Sequence, residues 1–173
     1  MSEEGNREGI PGDVENIQRF IGMLGSDSIE VRRAAEDALV GMGAVAIDPL
    51  MEILRTHPDR ELLWYIARTL SRIGEPSIEP LVQLLRSDAG DESKRYAAAA
   101  LAEMREPPIR RLVSMLGDRD PSIRGYASLI LCRIGEPAMH ALKEAQHDED
   151  EMRRRCARTT LLRLQLDEKG TKQ

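Results

Sequence analysis

The sequence predicts an all-α fold, a right-handed α-α superhelix, or solenoid, of about five helix pairs. The string RIGEPSIEPL from Arg72 recurs as RIGEPAMHAL from Arg133. Aromatic residues make up only 3% of the chain, so aliphatic side chains and alanine must fill the core, as in close-packed helices. One apolar position also recurs at spacings of 30, 31, 31 and 30 residues, at Ile17, Ile47, Ile78, Ile109 and Met139.

The repeat period divides the chain into one domain flanked by two short tails. A helix pair of about 30 residues cannot bury its apolar stripe alone, so neighbouring pairs must stack. Residues 14–166 are predicted to form this stack, and residues 1–13 and 167–173 to be disordered. The predicted repeats cover residues 14–46, 47–77, 78–108, 109–138 and 139–166.

The first segment of each repeat is predicted to be a short helix, called the A helix below. Its apolar residues lie at offsets 0, 3, 6 and 7, which is helical spacing and not strand alternation. In the second repeat they are Ile47, Leu50, Ile53 and Leu54. Pro49 marks the start of this helix, because the first helical turn tolerates the missing N–H of proline.

The second segment of each repeat is predicted to be a longer helix, called the B helix below. Its apolar residues share one helix face at offsets 0, 4, 8 and 11, as at Val31, Ala35, Leu39 and Met42. A turn containing aspartate precedes each B helix, and its carboxylate is expected to accept hydrogen bonds from the first free N–H groups. The candidate caps are Asp27, Asp59, Asp88 or Asp91, Asp118 or Asp120, and Asp148 or Asp150.

Glycine is predicted to end three of the B helices, at Gly43, Gly74 and Gly135. A left-handed backbone is accessible to glycine there, which lets the chain turn sharply into the next repeat. The third repeat carries Arg105 at this position. Because a left-handed conformation costs a residue with a side chain about 1 kcal/mol, we expect a less regular corner after the third repeat.

Composition favours a cytoplasmic protein without nucleic-acid or membrane partners. The net charge is −5, and residues 1–46 alone carry −5, whereas residues 109–138 carry +2. An acidic chain with one tryptophan supplies little of the basic, aromatic surface that nucleic acids need. No apolar run approaches the roughly 18 residues of a membrane span, and the polar N-terminus does not resemble a signal peptide.

Two strings, DPSIRGYASLILCRIGEPA from Asp120 and SIEVRRAAEDALVGMGAVA from Ser28, resemble the short HEAT-like repeat of phycobilisome lyase subunits and many small prokaryotic proteins. The resemblance covers about residues 14–166 and is specific for architecture. Proteins with such repeats include scaffolds, lyase subunits, a di-iron hydroxylase and a type of DNA glycosylase, so the fold does not determine the activity. The His-Glu pairs that ligate iron in the hydroxylase members are absent, since Pro, Ala and Asp follow His57, His140 and His147.

The resemblance implies that the B helices line a concave groove. On a helical wheel, offsets 2, 5, 6 and 9 point away from the core. In the middle three repeats they hold mainly alanine, serine, glycine, leucine and cysteine, with Trp64 at one edge, whereas a solvated face is rich in lysine and glutamate. In the fifth repeat these offsets are assigned to Arg154, Ala157, Arg158 and Leu161.

Two interpretations of this surface remain open. It is either a docking strip for a peptide or helix in repeats 2–4, or the result of close packing between B helices. Tryptophan, tyrosine and arginine are the types most enriched among binding hot spots, which favours docking for Trp64. Three tyrosines recur at offset 3, which favours packing. The candidate binding residues are Trp64, Tyr65, Arg68, Arg95, Tyr96, Tyr126 and Leu129.

No catalytic motif is found, and we expect no catalytic residue, metal or cofactor. The paired carboxylates Glu36 and Asp37 are expected to solvate an exposed face. Two functions are compatible with the sequence: a protein-binding scaffold or adaptor, and a non-catalytic lyase-like or chaperone-like subunit that assists cofactor attachment to a partner. An apolar pocket of several hundred Å³ beside Arg95 and Tyr96 would favour the second, and a flat strip the first.

The ends of the solenoid are predicted to be capped by polar residues. The first helix carries Gln18 and Arg19, and the last carries Arg155, Thr159 and Thr160 at otherwise apolar positions. Polar outer faces are typical of terminal repeats. We therefore expect a monomer.

Overall fold

The computed structural model describes residues 11–57 and 59–170, and the side chains of residues 14–57 and 59–166. Of the segments predicted to be disordered, residues 11–13 and 167–170 belong to helices, and the others lie outside the described residues. Two short 3-10 helices, Gly43–Ala46 and Glu75–Ser77, accompany ten α-helices within that part of the chain. The α-helices are α1 (Pro11–Leu24), α2 (Ile29–Met42), α3 (Ile47–Thr56), α4 (Arg60–Ile73), α5 (Ile78–Arg86), α6 (Asp91–Ala102), α7 (Ile109–Met115), α8 (Pro121–Ile134), α9 (Glu136–Ala145) and α10 (Glu151–Gly170).

The helices form five consecutive pairs, as the repeat period predicts. Each odd-numbered helix packs against the even-numbered helix that follows it. The even-numbered helices, which are the B helices, also pack against one another in chain order from α2 to α10. An aliphatic core runs between the two layers, and its fully buried members include Leu39, Leu70 and Leu131. The predicted all-α solenoid is confirmed.

Side-chain caps begin several B helices. Asp59 and Asp120 accept hydrogen bonds from backbone N–H groups in the first turns of α4 and α8, as predicted. In the first repeat the cap is Ser28 and not Asp27, and Gly90 precedes α6 without a side-chain cap. The third B helix therefore starts without the hydrogen bond that fixes α2, α4 and α8.

The corner glycines adopt the backbone that the sequence predicts. Gly43, Gly74 and Gly135 have φ angles of 62°, 82° and 77°, and no other residue in the described part of the chain has a positive φ. The backbone of Arg105 is therefore not in a left-handed conformation. The chain leaves α6 at Ala102 and crosses an irregular segment, 103–108, before α7, which has only 7 residues. The corner is less regular, as expected for a position where a left-handed backbone would be costly.

The fifth repeat differs by one residue from the predicted register. Ala157 is fully buried and occupies the core position, and Leu161 is also buried, although both are predicted to face the groove. Met152, just before the core stripe, is 38% exposed. The repeat length varies between 30 and 31 residues, so the sequence pattern leaves this register ambiguous by one residue. The equivalent core positions in the other repeats, all fully buried, are Ala35, Ile66, Ala97 and Ala127.

The C-terminal end is less polar than predicted. Arg155 and Thr159 are exposed, but Thr160 is buried and its hydroxyl shares a 2.8 Å hydrogen bond with that of Ser128 on α8. Leu162 and Leu166 instead expose apolar surface on α10. Thr160 thus joins two B helices and does not cap the stack.

Ion pairs join consecutive repeats. Because equivalent residues of stacked repeats lie side by side, opposite charges about 30 positions apart in sequence come into contact. In the described residues, eight such pairs join the following residues: Arg32–Glu61, Arg60–Glu92, Arg68–Glu36, Arg72–Glu36, Arg72–Asp37, Arg86–Asp118, Arg111–Glu79 and Arg133–Glu103.

Candidate functional site

Trp64 stands on the exposed face of α4, and 46% of its surface is exposed. Its ring meets that of Tyr65 edge to face, with the centroids 4.8 Å apart. The guanidinium carbon of Arg68 lies 5.4 Å from the Trp64 ring centroid. An aromatic pair and a cation–π contact each contribute on the order of 0.5–1 kcal/mol, so the indole is held in place while one side remains open.

A depression of about 350 Å³ opens beside Trp64 between α4 and α6. Four of the predicted binding residues line it together: Trp64, Arg68, Arg95 and Tyr96. Small side chains lie beneath them, since Ala67 and Ala100 are buried and also contribute to the lining. The depression exists because α4 and α6 meet through alanines, which leave space above them.

Both ends of this depression carry charged residues that the sequence analysis missed. Arg60 pairs with Glu92 at 2.6 Å, and Arg133 reaches over from α8 to pair with Glu103. Arg95 has no ion-pair partner among the described residues. The missed pairs could have been found from opposite charges one repeat apart. Arg95 therefore lines the depression as an exposed cation without an ion pair in the described part of the chain.

Two of the three tyrosines connect neighbouring B helices, and the third packs against the core. The Tyr96 hydroxyl donates a 3.0 Å hydrogen bond to the backbone carbonyl of Arg60. The guanidinium carbon of Arg32 lies 5.0 Å from the ring centroid of Tyr65, which borders a separate cleft. Tyr126 is half-buried and packs against the core. These contacts support helix packing as the reason why tyrosine recurs at offset 3 of three B helices.

Leu129 lies on α8, outside the depression beside Trp64. Its side chain is 49% exposed. The residues that line the depression come mainly from α4 and α6, with Arg133 as the contribution of α8. The structure therefore brings together the candidates on the second and third repeats but leaves the candidates on the fourth, Tyr126 and Leu129, apart from them.

Glu36 is buried, contrary to the expectation that it solvates an exposed face. Only 2% of its side chain is exposed, and its carboxylate lies 3.2 Å from Arg68 and 3.3 Å from Arg72. Asp37 is exposed, as expected, and accepts a 2.7 Å hydrogen bond from Arg72. The expectation fails for Glu36 because its offset faces the next B helix and not solvent. Arg68 thus contacts both the buried carboxylate of Glu36 and the exposed ring of Trp64.

A second, larger depression adjoins the first at the irregular corner. It encloses about 1,050 Å³ and is lined by Ser71 and Glu75 at the end of the second repeat and by Arg105 and Arg110 across from them. Glu103 borders both depressions. The two depressions therefore adjoin at Glu103, the first between α4 and α6 and the second at the corners where these helices end, and we call them together the α4–α6 seam.

The described residues contain neither a metal-binding cluster nor a membrane-spanning helix. No group of three or more His, Cys, Asp or Glu side chains is placed there to hold a metal ion. None of the helices in those ranges combines the length and the apolar character that a membrane crossing requires.

Comparison with known proteins gives the family. No curated protein matches the chain. Among solved structures, the complex of CpcE and CpcF of phycocyanin lyase from Nostoc sp. PCC7120 is similar at 24% identity and a TM-score of 0.45, with 88% of this chain and 99% of that chain covered. A designed armadillo repeat protein in complex with the peptide (KR)4 is 19% identical with a TM-score of 0.34, over 82% of this chain and 78% of that chain.

The family model for HEAT repeats matches twice, over residues 17–102 and 78–162. Together the two matches span nearly all of the helix pairs described above, and their overlap reflects the repetition. The chain belongs to the HEAT-repeat family.

Proposed function

We propose that this protein is an interaction scaffold that binds a peptide or helix of another protein on the B helices of repeats 2–4. The observation that carries the proposal is Trp64, a half-exposed indole held between Tyr65 and Arg68 beside an open depression. Exposing a tryptophan to water is unfavourable, and rigid aromatic side chains beside a pocket are typical binding anchors.

The shape and charge of the depression favour a peptide over a cofactor. A tetrapyrrole or similar group needs a deep and mainly apolar pocket. Here the site is open, and six of its eleven lining residues are charged. A peptide can place an apolar side chain against Trp64 and a carboxylate against Arg95 while its backbone stays hydrated. The depression has the place and volume expected for a cofactor-attachment subunit, beside Arg95 and Tyr96, but its open shape and charged lining do not match the deep apolar pocket of that alternative.

The proposal is tested by affinity capture from extract of the native cell. Three proteins serve as bait: the natural chain, a Trp64→Ala, Arg95→Ala variant and a matched Arg155→Ala, Leu162→Ala variant. The matched pair also removes one arginine and one exposed apolar side chain, but on α10. Partners held by the natural chain and the α10 variant, and lost by the Trp64 variant, are the expected result. Equal retention by all three folded proteins would rule the proposal out.

We also propose that the scaffold is a monomer. The exposed leucines of α10, Leu162 and Leu166, are two side chains, whereas specific protein interfaces involve about 20–30 residues on each side. Light scattering at low salt should give a mass of 19.4 kDa. A mass of twice that value or more would contradict the proposal.

A further inference from the structure

We infer that the partner segment is an acidic amphipathic α-helix that lies along the α4–α6 seam, parallel to those helices and not across the stack of B helices. This inference rests on the proposed function and makes it more specific. It follows from the shape of the seam, its charge and the irregular corner at one end.

The seam has the dimensions of one helix. On α4 it is lined by residues spaced three or four apart that share one side of that helix, namely Arg60, Trp64, Arg68 and Ser71. Glu75 extends the lining past the corner at Gly74. The eleven steps from Arg60 to Ser71 at about 1.5 Å each give roughly 16 Å, the length of a three-turn helix, before the corner extends the seam further. A ligand running across the B helices would meet only one or two of these residues.

Small residues let a helix approach the seam closely. Helices packed through small side chains lie about 8 Å apart, at the short end of the usual range. Ala67, Ala99 and Ser71 line the middle of the seam. Trp64 stands above them, where it can insert between successive turns of a third helix.

The irregular corner opens the far end of the seam. In the first, second and fourth repeats a glycine turns the chain tightly at the end of the B helix, but segment 103–108 follows a longer path. This segment supplies Arg105 and Pro107 to the wall of the larger depression. The third repeat, which departs most from the repeat pattern, therefore has a larger opening where the seam ends.

The charge of the seam complements an acidic partner. Its lining residues include seven arginines and four glutamates, and Glu36 and Asp37 pair with two of the arginines, Arg68 and Arg72, so one positive charge remains uncompensated in a chain of net charge −5. Arg95 at the near end and Arg105 and Arg110 at the far end have no ion-pair partner among the described residues. Glu75 and Glu106 offset the positive charge at the far end. A carboxylate of the partner should therefore be attracted most strongly around Arg95.

The test uses Trp64 as its own reporter, because it is the only tryptophan in the chain. The probes are synthetic 18-residue peptides without tryptophan or tyrosine. One is an amphipathic helix with leucine on one face and glutamate on its flanks. The second peptide has the same sequence except for two central prolines, which prevent a helix. The third peptide has lysine in place of every glutamate. An oligothymidylate of equal charge serves as a non-protein anion.

The acidic helix alone is expected to shift Trp64 emission to shorter wavelength in a saturable manner. Arg95→Glu should weaken its binding about threefold to tenfold, as expected when an exposed attraction becomes a repulsion. The Arg105→Glu, Arg110→Glu variant should weaken it by a similar factor. The matched variants Arg33→Glu on α2 and Leu129→Glu on α8 lie off the seam and should bind within about twofold of the natural chain.

Several results would overturn the inference while leaving the proposed function intact. If the Arg33 and Leu129 variants lose binding and the Arg105, Arg110 variant does not, the ligand crosses the B helices. If the proline peptide or the oligothymidylate binds as tightly as the acidic helix, the seam does not select a helix. If no probe shifts the emission but cellular capture still depends on Trp64, the partner has another chemistry. Capture that is independent of Trp64 would refute both proposals.

Discussion

Glu36 offers a sharp test of how the first two repeats are joined, because its carboxylate and its cationic partners differ in burial. The carboxylate is 2% exposed, whereas the side chains of Arg68 and Arg72 are 40% and 39% exposed. Removing the negative charge by Glu36→Gln leaves two guanidinium groups that water can still reach. We expect this change to cost about 1 kcal/mol, the scale of a lost, partly screened ion pair.

Removing the two arginines should cost more. In an Arg68→Met, Arg72→Met variant the methionine side chains keep much of the apolar packing of the arginine stems. Glu36 then remains buried without a counter-charge, and an unpaired buried charge costs about 3–5 kcal/mol. We expect a loss near the lower end, about 3 kcal/mol, because water enters where the guanidinium groups were. For a chain of this size that corresponds to a fall in Tm of about 6–12 °C.

The assay is urea unfolding followed by circular dichroism at 222 nm at pH 7. Asp37→Asn is the matched control, because this carboxylate also pairs with Arg72 but is 66% exposed, and its change should cost less than about 1 kcal/mol. The reasoning fails if Glu36→Gln is as destabilising as the double methionine variant. That result would mean that the carboxylate contributes through a net attraction and not through the penalty of leaving it unpaired.

Four further predictions concern the corners, a glycine inside α8 and the acid stability of the fold. Gly74→Ala should lower the free energy of unfolding by about 1–2 kcal/mol, because its φ of 82° strains any side chain. Gly125→Ala should raise the free energy of unfolding by about 0.5–1 kcal/mol, because alanine favours a helix more than glycine does and an added Cβ on α8 meets nothing within 4 Å. Both variants are measured by urea unfolding. If Gly74→Ala stabilises the protein and Gly125→Ala destabilises it, the assignment of these two positions to a corner and a helix is contradicted. Arg105→Gly should not stabilise the protein in the same melts, since the corner contains no positive φ to relieve, and a gain of 1 kcal/mol would reveal hidden strain. Hydrogen bonds from Arg111 lower the pKa of Glu79 below its usual value, so this pair stabilises the fold above the unfolded-state pKa and loses its effect as the pH falls through the folded one. The Tm of the natural chain should therefore exceed that of Glu79→Gln at pH 6, and the difference should shrink by pH 3; a constant difference would refute the linkage.

The architecture was predictable because its determinants are local. Helical spacing of apolar residues, the caps at Asp59 and Asp120 and the positive φ of Gly74 and Gly135 depend on a few neighbouring residues each. Repetition of these patterns at a constant period implies stacking, since no single pair can bury its own stripe. Trp64 was also correctly placed in solvent, because one helical wheel defines the direction away from its own core.

The contacts between repeats were decided by the tertiary structure. A helical wheel does not give the distance and angle of the next helix, so Glu36 was expected in solvent and is buried against α4. The register of α10 could not be predicted for the same reason. A difference of one residue moves Ala157 from the predicted groove face to the core.

The sequence by itself determined the five helix pairs, their glycine corners and the exposed Trp64. Only the tertiary structure decided that Trp64 and Arg95 border one depression, that Glu103 links it to a second, and that segment 103–108 opens the far end. The physical reason is that helix pairing follows from the chemistry of adjacent residues, whereas a groove is the space left between side chains about 30 residues apart. Its shape depends on how closely two helices approach, and here the alanines between α4 and α6 and the corner without glycine set that approach.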